Sequence, residues 1–221
     1  MLIFIVKCVN LHKKILIMIT QQHLDKSISF EEYYKIAEQH AIEGKTSGEN
    51  QSEELIEYSK LNFSRLKRSY KTTVPSEDVL KTVDCLNEKM IWIVLTETWC
   101  GDAAQNIAVL AKIAESNPAI SFRLLFRDEN LDVIDNYLTN GGRAIPKLIC
   151  LDQELNEIGT WGPRPAFIQN WFNEEKVKPE ANMDELKLEI QKKYNEDKGQ
   201  TLQKEMVQLM KDWLKKECFS L

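Results

Sequence analysis

Hydrophobic and polar positions follow two patterns in the middle of this chain, one typical of buried strands and one typical of a helix. Residues 91–95 and 120–126 are short apolar runs rich in β-branched and aromatic side chains, which predicts strands buried on both faces. Between them, residues 103–115 carry apolar side chains at helical spacing. A strand, a helix and a strand in this order predict a βαβ unit whose two strands are parallel.

The segments on either side of this unit are dominated by helical patterns. Ser29-Phe30-Glu31-Glu32 has the form of a capping box and predicts a helix to about residue 43. Asn140-Gly141-Gly142 predicts a turn before a further strand. The remaining predicted helices are 52–70 (capped by Asn50 or Ser52), 75–87, 131–138, 163–172, 183–194 and 201–216, and the remaining strands are 147–151 and an antiparallel edge strand at 157–161.

Cys100 lies where the predicted helix follows the first strand, within Trp99-Cys100-Gly101-Asp102. Unpaired N–H groups and the positive end of the helix dipole favour an anion there, which predicts a thiolate. Asp102 opposes this effect, because a neighbouring carboxylate raises the pKa of a thiol. The sequence leaves open which effect is larger.

Trp-Cys-Gly before a helix, with Ile145-Pro146 downstream, resembles the thioredoxin superfamily. The wider pattern, which includes Glu-Thr-Trp-Cys-Gly-Asp-Ala and Gly-Gly-Arg-Ala-Ile-Pro-Lys-Leu, resembles a bacterial branch of uncharacterised thioredoxin-like proteins. The resemblance covers residues 90–162. It implies an α/β, thioredoxin-like fold with a central mixed sheet flanked by helices, to which this chain adds helical N- and C-terminal extensions.

Four segments follow from this interpretation. We expect residues 1–17 to be a non-native or disordered leader, because two short apolar runs interrupted by charges fit neither a secretory signal nor a membrane helix. Met18 is then the expected natural start, and a weak membrane anchor is the alternative. Residues 18–88 are predicted to form a helical extension that packs on the core, 89–174 the thioredoxin-like core, and 175–221 the C-terminal helices.

The resemblance also implies the residues of a site. Cys100 would be the catalytic residue, and Ile145-Pro146 would form the cis peptide bond that faces it. The backbone of Ile145 would pair with an extended substrate by strand addition. The predicted substrate-binding residues are Trp99, Gly101, Asp102, Arg143, Ile145 and Pro146. Arg143 either stabilises a thiolate or binds an anionic group such as a glutathione carboxylate, or it is a solvated loop charge.

Three positions depart from the thioredoxin pattern. Ala103 stands where the second cysteine of Cys-x-x-Cys would be, so no neighbouring thiol can resolve a mixed disulfide. Val94 occupies the position of the buried acid, and Ala108 that of the proline that kinks the helix. The dithiol reductase mechanism is therefore excluded.

Two functions from different classes remain. In the first, Cys100 exchanges with a protein or low-molecular-weight disulfide and an external thiol releases it. In the second, the chain is a thioredoxin-fold binding or adaptor module without catalysis, since fold does not imply function. For either function we expect a monomer or homodimer. We expect no cofactor, because the sequence contains no GxGxxG motif and no P-loop.

Composition excludes several other classes. A net charge of -5 provides no electrostatic footprint for nucleic acid. The five cysteines are scattered without a CxxC pair, which argues against a disulfide framework, and the three histidines show no metal-ligand spacing. We expect a cytoplasmic protein without a membrane segment. Cys85 is interpreted as a packed or half-exposed thiol without chemistry, and Cys150 as a core thiol rather than a resolving partner. Arg127 and Asp128 suit a helix cap and a site contact equally well.

Overall fold

The computed structural model of the chain describes residues 19–214. The expected leader at residues 1–17, the candidate start Met18 and Cys8 lie before this range, and Cys218 lies after it. The end predicted for the last helix, at residue 216, also falls outside the described residues.

The described residues form nine helices and four strands. In chain order the helices are α1 (Gln21–Lys26), α2 (Phe30–Glu43), α3 (Glu53–Thr72), α4 (Glu77–Asp84), α5 (Gly101–Glu115), α6 (Leu131–Ile134), α7 (Ala166–Glu175), α8 (Met183–Asp197) and α9 (Gln200–Leu214). The strands are β1 (Met90–Thr96), β2 (Ile120–Phe126), β3 (Lys147–Leu151) and β4 (Glu157–Trp161).

The four strands form one mixed sheet in the order β2-β1-β3-β4. β1 and β2 are parallel, which confirms the predicted βαβ unit, whereas β3 runs antiparallel to both β1 and β4. Six of the seven residues of β1 are buried, as expected of a central strand covered on both faces. The predicted α/β fold with a central mixed sheet flanked by helices is confirmed.

Helix α5 is buried on all sides, although the sequence pattern predicts only one apolar face. Its polar residues Gln105 and Asn106 are buried as well, and each bonds to a side chain of α8: Gln105 Nε2 donates to Gln191 Oε1 at 2.9 Å, and Asn106 Nδ2 donates to the Tyr194 hydroxyl at 2.9 Å. Helix α5 therefore packs against the sheet on one side and against helices of both extensions on the other.

Helix α2 begins and ends where its sequence signals indicate. Ser29 Oγ accepts from the Glu32 N–H, and Glu32 Oε2 accepts from the Ser29 N–H, which forms the predicted capping box at the start of α2. Gly44 ends this helix in the left-handed conformation, with φ 67°. An aromatic group that contains Phe30, Tyr34 and Phe63 then packs α2 against α3.

The C-terminal helix α9 contacts both the N-terminal extension and the sheet. Gln203 accepts a hydrogen bond from the Ser76 N–H at 2.7 Å and donates one to the Val74 carbonyl at 3.3 Å. A Cβ atom on Gly159 of β4 would lie 2.0 Å from Trp213 Nε1. Only a glycine lets the Trp213 ring lie this close to the strand.

Two helices are shorter than the sequence pattern predicts. Helix α6 ends at Ile134 rather than near residue 138, because the N–H groups of Asn136 and Tyr137 bond three residues back rather than four. Helix α4 ends at Asp84, and the Cys85 N–H likewise bonds to Thr82 O. None of the helices within residues 19–214 is long and apolar enough to cross a bilayer.

Candidate functional site

Cys100 is the N-cap residue of α5, which begins at Gly101, in agreement with the helix start that the sequence indicates. Its Sγ accepts from the Ala103 N–H at 3.4 Å and donates to the Ile145 carbonyl oxygen at 3.3 Å. The peptide bond between Ile145 and Pro146 is cis. The structure thus brings together the two parts of the predicted site, the thiol at the helix start and the backbone of Ile145.

The thiol of Cys100 is buried, with 7% of the residue exposed. Burial raises its pKa to about 12, and the charge of Asp102 adds to the increase, whereas backbone hydrogen bonds and Arg164 oppose it. Desolvation and the charge of Asp102 therefore act together against the hydrogen bonds at the helix N-terminus, and they favour the protonated thiol.

Asp102 is held by an ion pair that the sequence analysis did not identify. The Nε and Nη2 atoms of Arg164, which precedes α7, lie 2.9 and 2.8 Å from Asp102 Oδ2, and both side chains are largely buried. The Tyr194 hydroxyl of α8 donates to Asp102 Oδ1 at 3.0 Å. Burial and the charge of Asp102 raise the pKa of Tyr194, so this hydroxyl remains a donor.

Arg127 and Asp128 follow β2 and lie against the site rather than capping α6. Asn130 is the N-cap residue of α6, and its side chain makes no capping hydrogen bond. Arg127 pairs with Asp128, its Nη1 donates to the Arg143 carbonyl oxygen at 3.1 Å, and its guanidinium lies 4.9 Å from the centre of the Trp99 ring. Of the two interpretations of this pair, the structure therefore favours the site contact.

Arg143 is half-exposed beside the Ile145-Pro146 bond. Its guanidinium forms two hydrogen bonds with Asp135, of 2.6 and 2.9 Å, and this partner fixes its orientation. The position of this guanidinium beside the site is therefore defined. Neither a hydrogen bond nor an ion pair joins it to Cys100.

Glu97 is a buried acid that the sequence analysis missed. The residue is fully buried, its Oε1 accepts from the Asp128 N–H at 2.8 Å, and its Oε2 lacks a hydrogen-bond partner. Burial raises the pKa of its carboxyl to about 7. Val94, where thioredoxins carry their acid, is buried and apolar. The sequence pattern did not identify Glu97, because this residue lies just after β1 and outside its run of apolar residues.

A loop between α2 and α3 covers the residues that precede the cysteine. The Thr98 N–H donates to Ser47 Oγ at 2.9 Å, and the Ser47 N–H donates to Thr98 Oγ1 at 3.0 Å. Thr46 and Ser59 extend this buried group of hydroxyls, with their oxygens 2.6 Å apart. The N-terminal extension thus holds the segment that leads into Cys100.

Two cavities meet at Cys100, and each has a different lining. The first, here called the basic cavity, has a volume of about 410 Å³ and lies on the Ile145 side. The second, here called the apolar cavity, has a volume of about 510 Å³ and lies between α3 and α8, where Gly101 forms part of its wall. Trp99 and Asp102 line both cavities.

The other predicted features of the site lie as follows. Ala103 is fully buried one turn after Cys100, in the place of a second cysteine. Cys150 is buried in β3 with its sulfur 3.9 Å from Met90 Sδ, and Cys85 is partly exposed after α4. Among residues 19–214, no group of three or more His, Cys, Asp or Glu side chains is arranged to hold a metal ion.

Comparison with known proteins gives a family match. The sequence profile of a family described as thioredoxin matches residues 48–187, which is more than half of the chain. This range begins in the loop that contains Ser47 and ends within α8. No curated protein matches the chain.

Two solved structures resemble the chain. One is a protein of unknown function from Pseudomonas aeruginosa, with a TM-score of 0.50 and 19% identity over 68% of this chain and 84% of that one. The other is an HIV epitope scaffold, with a TM-score of 0.46 and 19% identity over 67% of this chain and 87% of that one. Because its sequence identity is only 19%, the first structure supports a shared fold and nothing more. The TM-score of the second structure is too low to support any conclusion.

Proposed function

The chain belongs to the thioredoxin family, and we propose that it is a monothiol thiol–disulfide exchange protein in which Cys100 is the reacting group. The observation that carries this proposal is the position of its sulfur. Cys100 Sγ lies at the N-terminus of α5, 3.3 Å from the carbonyl of Ile145, and at the junction of two cavities. A disulfide that enters either cavity meets this thiol.

The reaction needs two external partners, because Ala103 offers no second thiol. Cys100 loses its proton and attacks one sulfur of a disulfide, whose S–S bond breaks while a new S–S bond forms to Cys100. The other half leaves as a thiolate and takes up a proton. A low-molecular-weight thiol then attacks the mixed disulfide, restores the thiol of Cys100 and leaves as part of a new disulfide.

The raised pKa of Cys100 limits how this reaction starts. With a pKa of about 12, the thiol contributes little thiolate at neutral pH. The proposal therefore requires that the substrate first replaces the hydrogen bond between Cys100 and Ile145 and changes the surroundings of the sulfur. An extended substrate that pairs with the Ile145 carbonyl would do so directly, because it competes for the same acceptor.

The second candidate, a binding module without catalysis, is favoured by the same raised pKa. A buried, protonated thiol with no resolving cysteine one turn away is also what a vestigial site would contain. In this case the Ile145 edge and the two cavities bind a ligand that is not chemically changed.

The two candidates are separated by the reaction of the folded protein with glutathione disulfide, a peptide disulfide whose N–H groups can pair with the Ile145 carbonyl, at pH 7 and pH 9. We expect a mixed disulfide that peptide mapping assigns to Cys100, that forms faster at pH 9, and that is absent from Cys100→Ser. If only the other cysteines are modified at pH 9, the exchange function is wrong and the binding module replaces it.

A further inference from the structure

The basic cavity has an excess of positive charge that the exchange reaction alone does not require. Its lining includes four cationic side chains and a single carboxylate, Asp102, which already pairs with Arg164. The other three cations are Arg127, Arg143 and Lys176. The apolar cavity on the other side of Cys100 has three acidic and three basic side chains. The excess of cationic over acidic side chains is therefore confined to the lining of the basic cavity.

Carboxylates outside the cavity fix two of these cations in place. Asp128 pairs with Arg127 and Asp135 pairs with Arg143, and neither aspartate lines the cavity. Lys176 forms no ion pair with any carboxylate in residues 19–214 and lies over the Phe172 ring at 5.4 Å. Guanidinium groups held in this way bind an anion with less loss of conformational freedom.

Two residues that line the basic cavity each carry a polar atom without a hydrogen-bond partner. These atoms, Thr139 Oγ1 and Gln169 Oε1, are buried beneath the cavity lining, so a ligand reaches them when the two side chains rotate. An unpaired buried polar atom costs about 1–3 kcal/mol, so a ligand that pairs with it gains affinity. The Thr139 hydroxyl can donate to an anionic oxygen, whereas Gln169 Oε1 requires an N–H donor.

From these observations, we propose that the basic cavity binds small dicarboxylates that carry an amide N–H. The carboxylates contact the cationic side chains and the Thr139 hydroxyl, and the N–H donates to Gln169 Oε1. A volume of about 410 Å³ is sufficient for a ligand of this size. The inference rests on the proposed function in assigning the ligand to the cavity beside Cys100, but it requires no reaction of the thiol.

The test uses three sulfur-free probes, so that its outcome is independent of thiol exchange. N-acetylglutamate carries two carboxylates and an amide N–H, glutarate lacks the N–H, and N-acetylglutaminamide lacks the charges. Titration calorimetry at low salt should show that N-acetylglutamate binds at least about tenfold more tightly than the neutral probe, and more tightly than glutarate. The Cys100→Ser protein should give the same result.

Three variants assign the binding to the basic cavity. Lys176→Gln should weaken N-acetylglutamate binding about tenfold, whereas Lys187→Gln, which removes the same charge from the lining of the apolar cavity, should change it less than about twofold. Gln169→Met should remove the preference for N-acetylglutamate over glutarate. Equal binding of the charged and neutral probes, or equal effects of the two lysine variants, would overturn the proposal.

Discussion

Ser47 and Thr98 exchange two hydrogen bonds across the surface between the N-terminal extension and the core, each from the backbone N–H of one residue to the hydroxyl of the other, at 2.9 and 3.0 Å. Both residues are buried, with 6% and 4% of their surfaces exposed, so water does not replace a lost partner. The loop of Ser47 is therefore attached directly to the segment that leads to Cys100.

Ser47→Ala should destabilise the protein, because it removes the acceptor of the buried Thr98 N–H. We expect a loss of about 1–3 kcal/mol in the free energy of unfolding, measured by urea denaturation. Ser64→Ala is the matched control, since Ser64 is exposed and should change stability by less than about 0.5 kcal/mol. Equal stabilities of the two variants would show that the pair contributes nothing.

Asp102→Asn should lower the pKa of Cys100. The charge of Asp102 raises this pKa and that of Arg164 lowers it, so removing the carboxylate leaves only the favourable charge beside the sulfur. The pKa is measured from the pH dependence of thiolate absorbance and of the alkylation rate of Cys100. Asp184→Asn, in the lining of the apolar cavity, should leave the titration unchanged. An unchanged or higher pKa in the Asp102 variant would contradict the assigned role.

Glu97 should make stability fall as the pH rises from 4.5 to about 7. Burial raises the pKa of its carboxyl from 4.5 to about 7, so in this range the folded protein holds a proton that the unfolded chain releases. The penalty is complete above pH 7 and amounts to about 3 kcal/mol. Urea denaturation at pH 5 and pH 8 should show that Glu97→Gln lacks this loss. The same pH dependence in both proteins would exclude Glu97 as its source.

Ala103→Cys should recreate a disulfide with Cys100. The Ala103 N–H already lies 3.4 Å from Cys100 Sγ, so a thiol at this position begins one turn away on the same helix. Mild oxidation should remove two free thiols and lower the mass by two hydrogen atoms, whose electrons pass to the added oxidant. The control Ala108→Cys places a thiol more than two turns along α5, about 12 Å from Cys100, and should form no such bond. Persistence of both thiols in the first variant would contradict the predicted geometry.

Gly159→Ala should displace α9 from the sheet. A Cβ atom would lie 2.0 Å from Trp213 Nε1, so either the ring or the strand must move. We expect a loss of about 1–3 kcal/mol in the free energy of unfolding, as for other overpacking substitutions, together with a change in tryptophan fluorescence. Gly142→Ala is the control, because its Cβ would make an ordinary contact of 3.6 Å with Thr139 O. Similar effects at both positions would argue against a specific close contact.

The sequence was sufficient to predict the individual strands and the position of Cys100, because their signals are local, whereas the mixed sheet was implied by the family resemblance. A buried strand, a helix start and a glycine-rich turn each occupy a few consecutive residues, and the βαβ pattern fixes the direction of β1 relative to β2. Parallel strands end at the same edge of a sheet, which explains why Arg127 lies near Trp99, although the sequence left open whether Arg127 caps a helix or contacts the site.

Arg164, Tyr194 and Ser47 could not be predicted in the same way. Arg164 lies 62 positions after Asp102, and Tyr194 lies 92 positions after it, so only the folded chain shows that they meet at one carboxylate. The hydrogen bonds between Ser47 and Thr98 correspond to no periodic pattern in the sequence. Glu97 likewise meets a group from another segment of the chain, since the Asp128 N–H donates to its carboxylate at 2.8 Å.

The hydrogen bond from Tyr194 to Asp102 also has a consequence for the synthesis of the chain. During translation, Cys100 and Asp102 leave the ribosome well before Tyr194, which lies 92 residues after Asp102. While α8 is still being made, Asp102 lacks the Tyr194 hydroxyl and one wall of the apolar cavity is missing. The nascent chain therefore passes through a stage in which the thiol is more open to solvent, and to oxidants, than it is in the finished protein.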